Sequence, residues 1–599
     1  MLKFIVEPLR SSPPADRAWY VLRLAFVIGA TGAAIVVVGT TIQTTILRMS
    51  PVVNGDQWEW VELLHSWLEN GFSWSSLFAV QNDHRTALFR IALFADYLAD
   101  RSTNRLLFTL SLVEYIATVA AFAALRRWAA RDRSDWIDGA AYVAFVSIVF
   151  FSAANLYNLT FANQTGFIFG HVGIVFAVLT AALGIEAFKR GNRCRGMCWH
   201  TGAAIIAFGA TFAQSNSILI WPLVLTMSWI GGVPTRYLAA FAAVSVATII
   251  FFFSGLHLNI GMGNTDPRQT WTILHTYSEY MPQYLGNIIV DALRFNFQSY
   301  ALGWIGLIGT GIASVSLLRD RSRWTTPQLA LFAIMVFVVI TAWLAALTRQ
   351  GWGGSLAMVT DRYRLSVGTF WAAALALMWS VPWRPSIDRA VRLAVGVLMT
   401  LIILAVVLNQ RPTLQTYLAE GRRWDLAANA LRMGISDKEV LSAITLFKPP
   451  WFPPPAPASV EFLRARQLSV FADGRYRWIG QPLSEVLRLA PDAHCSGSVD
   501  RADPLKDNNE AWHMAGQAWN DDGATPSQLV IVDEAGMVAG LASANPTPRD
   551  LRILLGRRAE NPSRWEGLTR GARNTTQTIY GIRRDGTSVC KVTSVQLPG

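Results

Sequence analysis

Residues 200–232 read HTGAAIIAFGATFAQSNSILIWPLVLTMSWIGG, and the number of times this stretch crosses a membrane sets the parity of everything after it. Two apolar runs, 200–213 and 217–232, flank Gln214-Ser215-Asn216. One long helix gives one crossing; a helical hairpin turned at the polar triplet gives two. Other apolar runs of bilayer-spanning length, about 17–25 residues, lie near 22–46, 104–125, 137–153, 166–187, 236–254, 298–318, 326–347, 365–383 and 390–408. With 200–232 split, the chain has about eleven spans.

The basic residues choose between the two readings. With eleven spans, one side of the membrane receives Arg126, Arg127, Arg131 and Arg133, then Lys189, Arg190, Arg193 and Arg195, then Arg236, then Arg319, Arg321 and Arg323, and last Arg384 and Arg389. That is the asymmetry expected of cytoplasmic loops. A single span at 200–232 would put the last clusters outside. The reading is therefore eleven spans, with the N-terminus cytoplasmic and everything after residue 410 periplasmic.

Composition agrees. The 599 residues are 52% hydrophobic and 15% charged, with mean hydropathy +0.31; a soluble chain carries roughly a quarter charged residues. The net charge of +12 does not indicate a nucleic-acid partner, because the basic residues fall in short clusters between apolar runs. The 24 Trp residues suit interfacial belts. The start, polar to Arg17 and then apolar to Leu47, reads as a retained first span rather than a cleaved signal.

Two outer loops are long. The first, 47–103, carries Trp58, Trp60, Leu64, Trp67 and Leu68 at helical spacing, the pattern of an amphipathic helix over 57–69 lying along the membrane surface. A second helix is expected over 86–98. The other long loop, 255–297, is polar with aromatics. From Asn409 the composition shifts, with helical character over 418–446. The run Lys448-Pro449-Pro450-Trp451-Phe452-Pro453-Pro454-Pro455 reads as a stiff linker. Beyond it, Gln528–Leu541 and Thr578–Val595 alternate around Glu534-Ala535-Gly536 and Asp585-Gly586, as hairpins do. The domains expected are a transmembrane module over 1–410, a helical and Pro-rich linker over 411–457, and a periplasmic β-rich, sandwich-like domain over 458–599. Cys495 and Cys590 share that outer domain, where an oxidising compartment favours a disulfide between them. Cys194 and Cys198 lie in an inner loop and read as reduced thiols.

Three short motifs sit on the outer side. Asn54-Gly55-Asp56-Gln57-Trp58 follows the first span. Asp56-x-x-Glu59 is a capping-box pattern, yet the same carboxylate is placed to take a proton from an acceptor hydroxyl; the residues leave both open. Asn82-Asp83-His84-Arg85 precedes the second span. It reads either as a helix cap or as a phosphate site built from His84, Arg85 and a helix N-terminus, with Asp83 also able to ligate a divalent cation. Asp361-Arg362-Tyr363-Arg364 opens the tenth span with two arginines against the positive-inside bias, which points to an anion; the bland reading is interfacial anchoring. Glu114, Asn163 and His171 inside spans are polar links between helices before they are ligands.

This layout resembles the GT-C superfamily of polytopic glycosyltransferases, in particular bacterial inner-membrane members. Those share a Gly-Asp-x-Trp-like first loop, an Asn-(Asp/Glu)-His-Arg element and an (Asp/Ser)-Arg-Tyr element. Here these are Gly55-Asp56-Gln57-Trp58, Asn82-Asp83-His84-Arg85 and Asp361-Arg362-Tyr363, within residues 20–410. The resemblance implies an inverting transfer from a polyprenyl-phosphate sugar to a glycan, glycolipid or protein. It implies Asp56 as general base; if Asp56 is only a helix cap, Asp83 is the next catalytic candidate. Gln57, Trp58, Asn82, His84, Arg85, Asp361, Arg362, Tyr363 and Arg364 would contact substrate. Several members use a divalent metal, so Mg2+ or Mn2+ stays open here. The rival readings are a surface-polysaccharide polymerase or ligase, a lipid-linked sugar transporter or flippase, and a non-catalytic scaffold.

Overall fold

The computed structural model describes residues 14–81, 84–130, 136–255, 280–289, 297–319, 324–349, 361–381, 383, 385–445, 455–490, 493–508, 510–520, 523, 525–544 and 564–599. They form two compact units. The first is Met1–Thr45, Ser75–Arg90 and Thr109–Thr413; the second is Ile46–Trp74, Ile91–Phe108 and Leu414–Gly599.

Each of the eleven apolar segments is helical. In chain order, with the loop helices between them, they are α1 (Pro14–Leu47), α2 (Gln57–Asn70), α3 (Ala87–Asp100), α4 (Arg105–Ala129), α5 (Trp136–Phe150), α6 (Leu156–Thr160), α7 (Gln164–Lys189), α8 (Arg193–Thr211), α9 (Ile220–Ile230), α10 (Thr235–Phe253), α11 (Phe297–Arg319), α12 (Thr326–Arg349), α13 (Arg364–Ser380) and α14 (Pro385–Met433). Among the described residues seven helices are long and apolar enough to cross a membrane, or eight if α5 and the bent turn-plus-α6 segment after it make one span. The chain is a membrane protein of mainly helical fold. The helices outside that count have physical reasons to be there. α8 opens with Arg193 and Arg195, and α13 is short and buried almost throughout, so protein rather than lipid surrounds it.

The decisive stretch is broken. α8 stops at Thr211, a 3-10 turn occupies Ser215–Leu219, and α9 follows; the polar triplet falls at the break. In the first unit α7 and α8 pack antiparallel at very short range. A Cβ on Gly173 would meet Ala210 at 2.6 Å, and one on Gly184 would meet the His200 ring at 2.3 Å. Small residues let backbones approach this way where no hydrophobic drive separates protein from solvent. Helix ends group consistently. The starts of α1, α5 and α14 share Asp138, which binds Arg23 and lies 3.9 Å from Arg392, while Lys189 at the end of α7 donates to Thr326 Oγ1 at the start of α12 (2.8 Å).

The first outer loop belongs mostly to the second unit. α2 forms where it was expected, but its apolar side is covered by protein instead of lying on a membrane surface. Trp60, Val61, Leu64 and Trp67 are buried, and His65 stacks on Phe462 of the helix Pro457–Ala465, α15 (4.4 Å between rings). An amphipathic stripe specifies an apolar cover, not which cover. The helical character expected over 418–446 is present as far as Leu441, interrupted after Met433. α14 continues through Pro412 to Met433, and Leu414, Leu418, Ala427, Ala430 and Leu431 are buried in the second unit. Most of the proline run lies outside the described residues.

The C-terminal strands are β1 (Arg488–Leu489), β2 (Ser496–Pro504), β3 (Ala511–Trp519), β4 (Gln528–Val532), β5 (Val538–Ala544), β6 (Arg564–Arg570), β7 (Thr576–Ile582) and β8 (Ser588–Gln596). They make one eight-stranded sheet, ordered β1-β8-β7-β4-β5-β6-β3-β2, rather than the two facing sheets of a sandwich. The sheet curls until β2 approaches β8: a Cβ on Gly497 would lie 2.5 Å from Val592. Trp512, Met514, Leu529, Ile531, Trp565 and Ile579 fill the inside. The opposite face takes contacts from α14, with Asn429 donating to Ser543 (3.3 Å) and Arg422 facing Glu566 (3.8 Å). Both hairpin turns form as read. Asp533 Oδ1 accepts from Ala535 N–H and Met537 N–H, each 2.9 Å, and Gly536 and Gly586 take the left-handed conformation that favours glycine (φ 78° and 69°).

Cys495 and Cys590 form a disulfide with Cα atoms 5.5 Å apart, bridging residues 95 apart in sequence and tying the start of β2 to β8. A closed loop of that length is expected to stabilise the second unit by about 2–4 kcal/mol. Cys495→Ser with Cys590→Ser should lower the urea midpoint for loss of protease resistance of residues 455–599 in the full chain. An unchanged midpoint would mean that the sheet closes without the bridge.

Candidate functional site

The Asp56 turn is built within the second unit. Gly55 adopts φ 52° and donates its N–H to the Ile444 carbonyl (3.0 Å). The Gln57 and Trp58 N–H groups fold back onto the Asn54 and Gly55 carbonyls (3.1 and 3.2 Å). Asp56 flanks the first residue of α2 but makes no side-chain capping hydrogen bond, so the capping box expected from Asp56 and Glu59 does not form. The side chain is half-buried.

A relay of buried amides holds this turn instead. Gln57 Oε1 accepts from Asn54 N–H (3.1 Å), and its Nε2 donates to Asn104 Oδ1 (3.0 Å). Asn104 Nδ2 donates to the Ser50 and Val52 carbonyls (3.1 and 3.2 Å). Asp96 in turn accepts from the N–H groups of Asn104 (2.9 Å) and Leu106 (3.1 Å). Asn104 sits at φ 66°, a conformation that Asn tolerates better than most residues. Gln57, expected to meet substrate, is thus a buried structural residue. Asp96 and Asn104 were not singled out from the sequence; the signal available was the polar break Asp100-Arg101-Ser102-Thr103-Asn104 between two apolar helices.

Burial pushes the Asp96 carboxyl up to about 6, against the two backbone N–H bonds, which lower it. The folded value lies above the unfolded one of 3.8. The contribution to stability is therefore fully present below about pH 4 and is lost as pH rises towards 6, on the order of 2–3 kcal/mol. Asp96→Asn should flatten that part of the pH–stability profile, measured as the difference between variant and wild type by urea unfolding at pH 4, 5 and 6. Parallel profiles would show that Asp96 does not titrate there.

The other candidates lie in the first unit. Asn82 and Asp83 are outside the described residues. His84 exchanges both main-chain hydrogen bonds with Gln81 (2.8 Å each), and its Nδ1 hydrogen-bonds the Ser215 hydroxyl in the break between α8 and α9. Arg85 donates from Nε to the Phe252 carbonyl (2.8 Å) and from its terminal nitrogens to the Phe78 and Ser254 carbonyls. It caps the C-terminal end of α10, which makes it a clamp on the fold rather than a cation held ready for phosphate. Arg90, which the sequence did not flag, works alike: Nη1 binds the Ser76, Leu77 and Ala79 carbonyls (2.8, 2.9 and 2.8 Å).

Asp361–Tyr363 form a 3-10 turn leading into α13; the Asp361 side chain lies outside the described residues. Tyr363 is buried, its ring 5.0 Å from Tyr284 and 6.3 Å from Phe167. Arg364 is buried and donates to the Asn287 carbonyl. Trp371 on the same helix donates to the Leu285 carbonyl (2.8 Å), so this described part of the second long loop is stitched to α13. The Arg362 guanidinium lies over the Tyr363 ring at 5.2 Å; its Nε is buried with no hydrogen-bond partner among the described residues, as is the Nε of Arg364. Beside it run Ala153–Asn155 and α6, packed against the Asp361–Tyr363 turn and carrying buried Asn155, Asn158 and Thr160. Among the described residues no three His, Cys, Asp or Glu side chains converge as metal ligands; Asp83 and the Asp361 side chain lie outside those residues. The chain matches no protein-family model and no curated protein.

Proposed function

We propose that the chain is a glycosyltransferase of the bacterial inner membrane, with its C-terminal unit periplasmic. It moves one sugar from a polyprenyl-phosphate carrier to a glycan, glycolipid or protein acceptor. Asp56 takes the acceptor hydroxyl proton, the hydroxyl oxygen attacks the anomeric carbon with inversion, and the polyprenyl phosphate leaves with the bonding pair. Arg362, in the first unit, is the residue proposed to contact the donor phosphate.

The observation that carries the reading is Arg362: a half-buried guanidinium whose Nε is buried with no hydrogen-bond partner among the described residues, in a unit built from membrane-length helices. A buried guanidinium donor that lacks a partner among the described residues is costly in such surroundings, and an anion there would supply one. The grouping of helix ends supports eleven crossings with the C-terminal unit outside. Arg23, Asp138, Arg392, Lys189 and Thr326 mark one end; His84 with Ser215 and Arg85 with Ser254 mark the other. A density map of the protein with polyprenyl phosphate should show lipid phosphate against Arg362; a map with lipid elsewhere and Arg362 bare sinks the assignment.

One observation favours a second reading. The segment after α5 bends by 45° at a break, and broken helices with polar residues are how transporters build substrate sites. A flippase would move a fluorescent lipid-linked sugar across vesicles without consuming it, whereas the transferase would release polyprenyl phosphate.

A further inference from the structure

A groove on the outer surface of α7 and α8 joins a cationic end to an apolar lining. Its lining includes Thr180, Arg195, Cys198, Trp199, Gly202 and Ile205. Its volume is about 730 Å³, within the range of roughly 300–1,000 Å³ typical of ligand sites. Gly202 makes the room: even a Cβ there would sit 3.3 Å from the Thr180 methyl. At one end is Arg195, whose exposed guanidinium has no ion pair among the described residues, with exposed Arg193 and Arg190 beside it. From there the lining is almost wholly apolar. Trp199 follows one turn after Arg195, where an amphipathic ring marks a water–lipid boundary.

Depth decides what fills the groove. α7 is membrane-length, and the contacts of Gly173 with Ala210 and of Gly184 with His200 lay α8 along it in antiparallel register. The outward face of α8, with Ile205 68% and Phe208 43% exposed, therefore stands at the level of α7's apolar stretch, where its solvent is hydrocarbon. Arg195 and Ile206 are 11 positions apart on α8, roughly 16 Å of helix rise. That is about half of a ~30 Å hydrocarbon core, the depth of one leaflet. A site with a cationic mouth and an apolar channel one leaflet deep fits a molecule with an anionic head and an acyl chain.

We propose that this groove holds an anionic phospholipid of the bilayer, its phosphate on Arg195 and an acyl chain along Cys198, Gly202 and Ile205. None of these residues belongs to the proposed donor contacts, so the site is separate from sugar transfer. The native cysteines report on it. Cys198 lines the groove; Cys194, also exposed, does not, and serves as the internal reference.

The test uses the full chain in phosphatidylcholine nanodiscs, with or without phosphatidylglycerol, reacted with N-ethylmaleimide and read by peptide mass spectrometry. Phosphatidylglycerol should slow Cys198 relative to Cys194. Arg195→Ala should weaken the protection so that about tenfold more phosphatidylglycerol is needed for the same effect, the size of a lost charge-assisted contact. Gly202→Leu, which fills the channel but keeps the arginine, should make the Cys198 rate indifferent to phosphatidylglycerol. The proposal is overturned if phosphatidylglycerol leaves the Cys198 to Cys194 ratio unchanged, or if Arg195→Ala is protected as well as wild type. It is also overturned if only added polyprenyl phosphate protects, since the groove would then be a second carrier site.

Discussion

Asp56→Asn should fold and bind donor like wild type and transfer sugar about 10²–10⁴-fold more slowly, the usual cost of losing a general base. The structure sharpens this expectation. A carboxylate that capped α2 would confuse a catalytic loss with a folding loss, but Asp56 makes no capping bond. The turn is held by Gly55 on Ile444 and by the Gln57–Asn104 relay, none of which needs the Asp56 charge. The control is Glu59→Gln, which should keep most of its activity. Gln57→Ala should behave oppositely to Asp56→Asn. It leaves Asn104 Oδ1 and the Asn54 N–H without their buried partner, costing about 1–3 kcal/mol in stability. Transfer then falls because the turn loosens. The measurement is initial transfer rate per folded molecule, with unfolding followed in the same preparations. An Asp56→Asn protein that transfers at near wild-type rate would remove Asp56 from the chemistry and leave Asp83 as the carboxylate to test.

The parts of this chain that could be read from residues alone follow local rules. Apolar runs near 20 residues are helices because a helix satisfies its own backbone where nothing else can. Gln214-Ser215-Asn216 interrupts one such run, and the helix breaks there. Asp533 with Gly536, and Asp585 with Gly586, make hairpin turns through their own side-chain oxygens and a positive φ. What was not legible depends on partners distant in sequence. The stripe Trp60-Leu64-Trp67 calls equally for lipid or protein, and here α15, about 400 positions later, supplies part of the cover. Hairpin alternation fixes β4 beside β5 and β7 beside β8, but the pairings of β3 with β6 and β4 with β7 close the single sheet, and no alternation announces them. The same holds at the candidate site. Arg85 and Arg364 look like anion ligands in sequence because a main-chain carbonyl acceptor has no letter of its own.

That distinction separates the arginines experimentally. Arg362→Ala should weaken polyprenyl-phosphate sugar binding by about ten- to a hundredfold, corresponding to a lost charge-assisted contact of roughly 1.5–3 kcal/mol, with little change in unfolding. Its buried Nε has no hydrogen-bond partner among the described residues for folding to miss; the stacking over Tyr363 is lost. Arg362→Lys should recover part of the affinity, since an ammonium keeps the charge but not the planar two-pronged geometry. Arg85→Ala should show the reverse pattern. It strands the carbonyls at the end of α10 and of Phe78, so thermal stability falls, while the protein that remains folded binds donor normally. Arg364→Ala, freeing the Asn287 carbonyl in a buried site, belongs with Arg85→Ala. Titration of the four variants with a polyprenyl-phosphate sugar in nanodiscs, beside melting curves, yields two axes that a single activity assay would merge. If Arg362→Ala binds donor as wild type does while Arg85→Ala loses binding without losing stability, the phosphate sits at the end of α10 and Arg362 is an interfacial anchor.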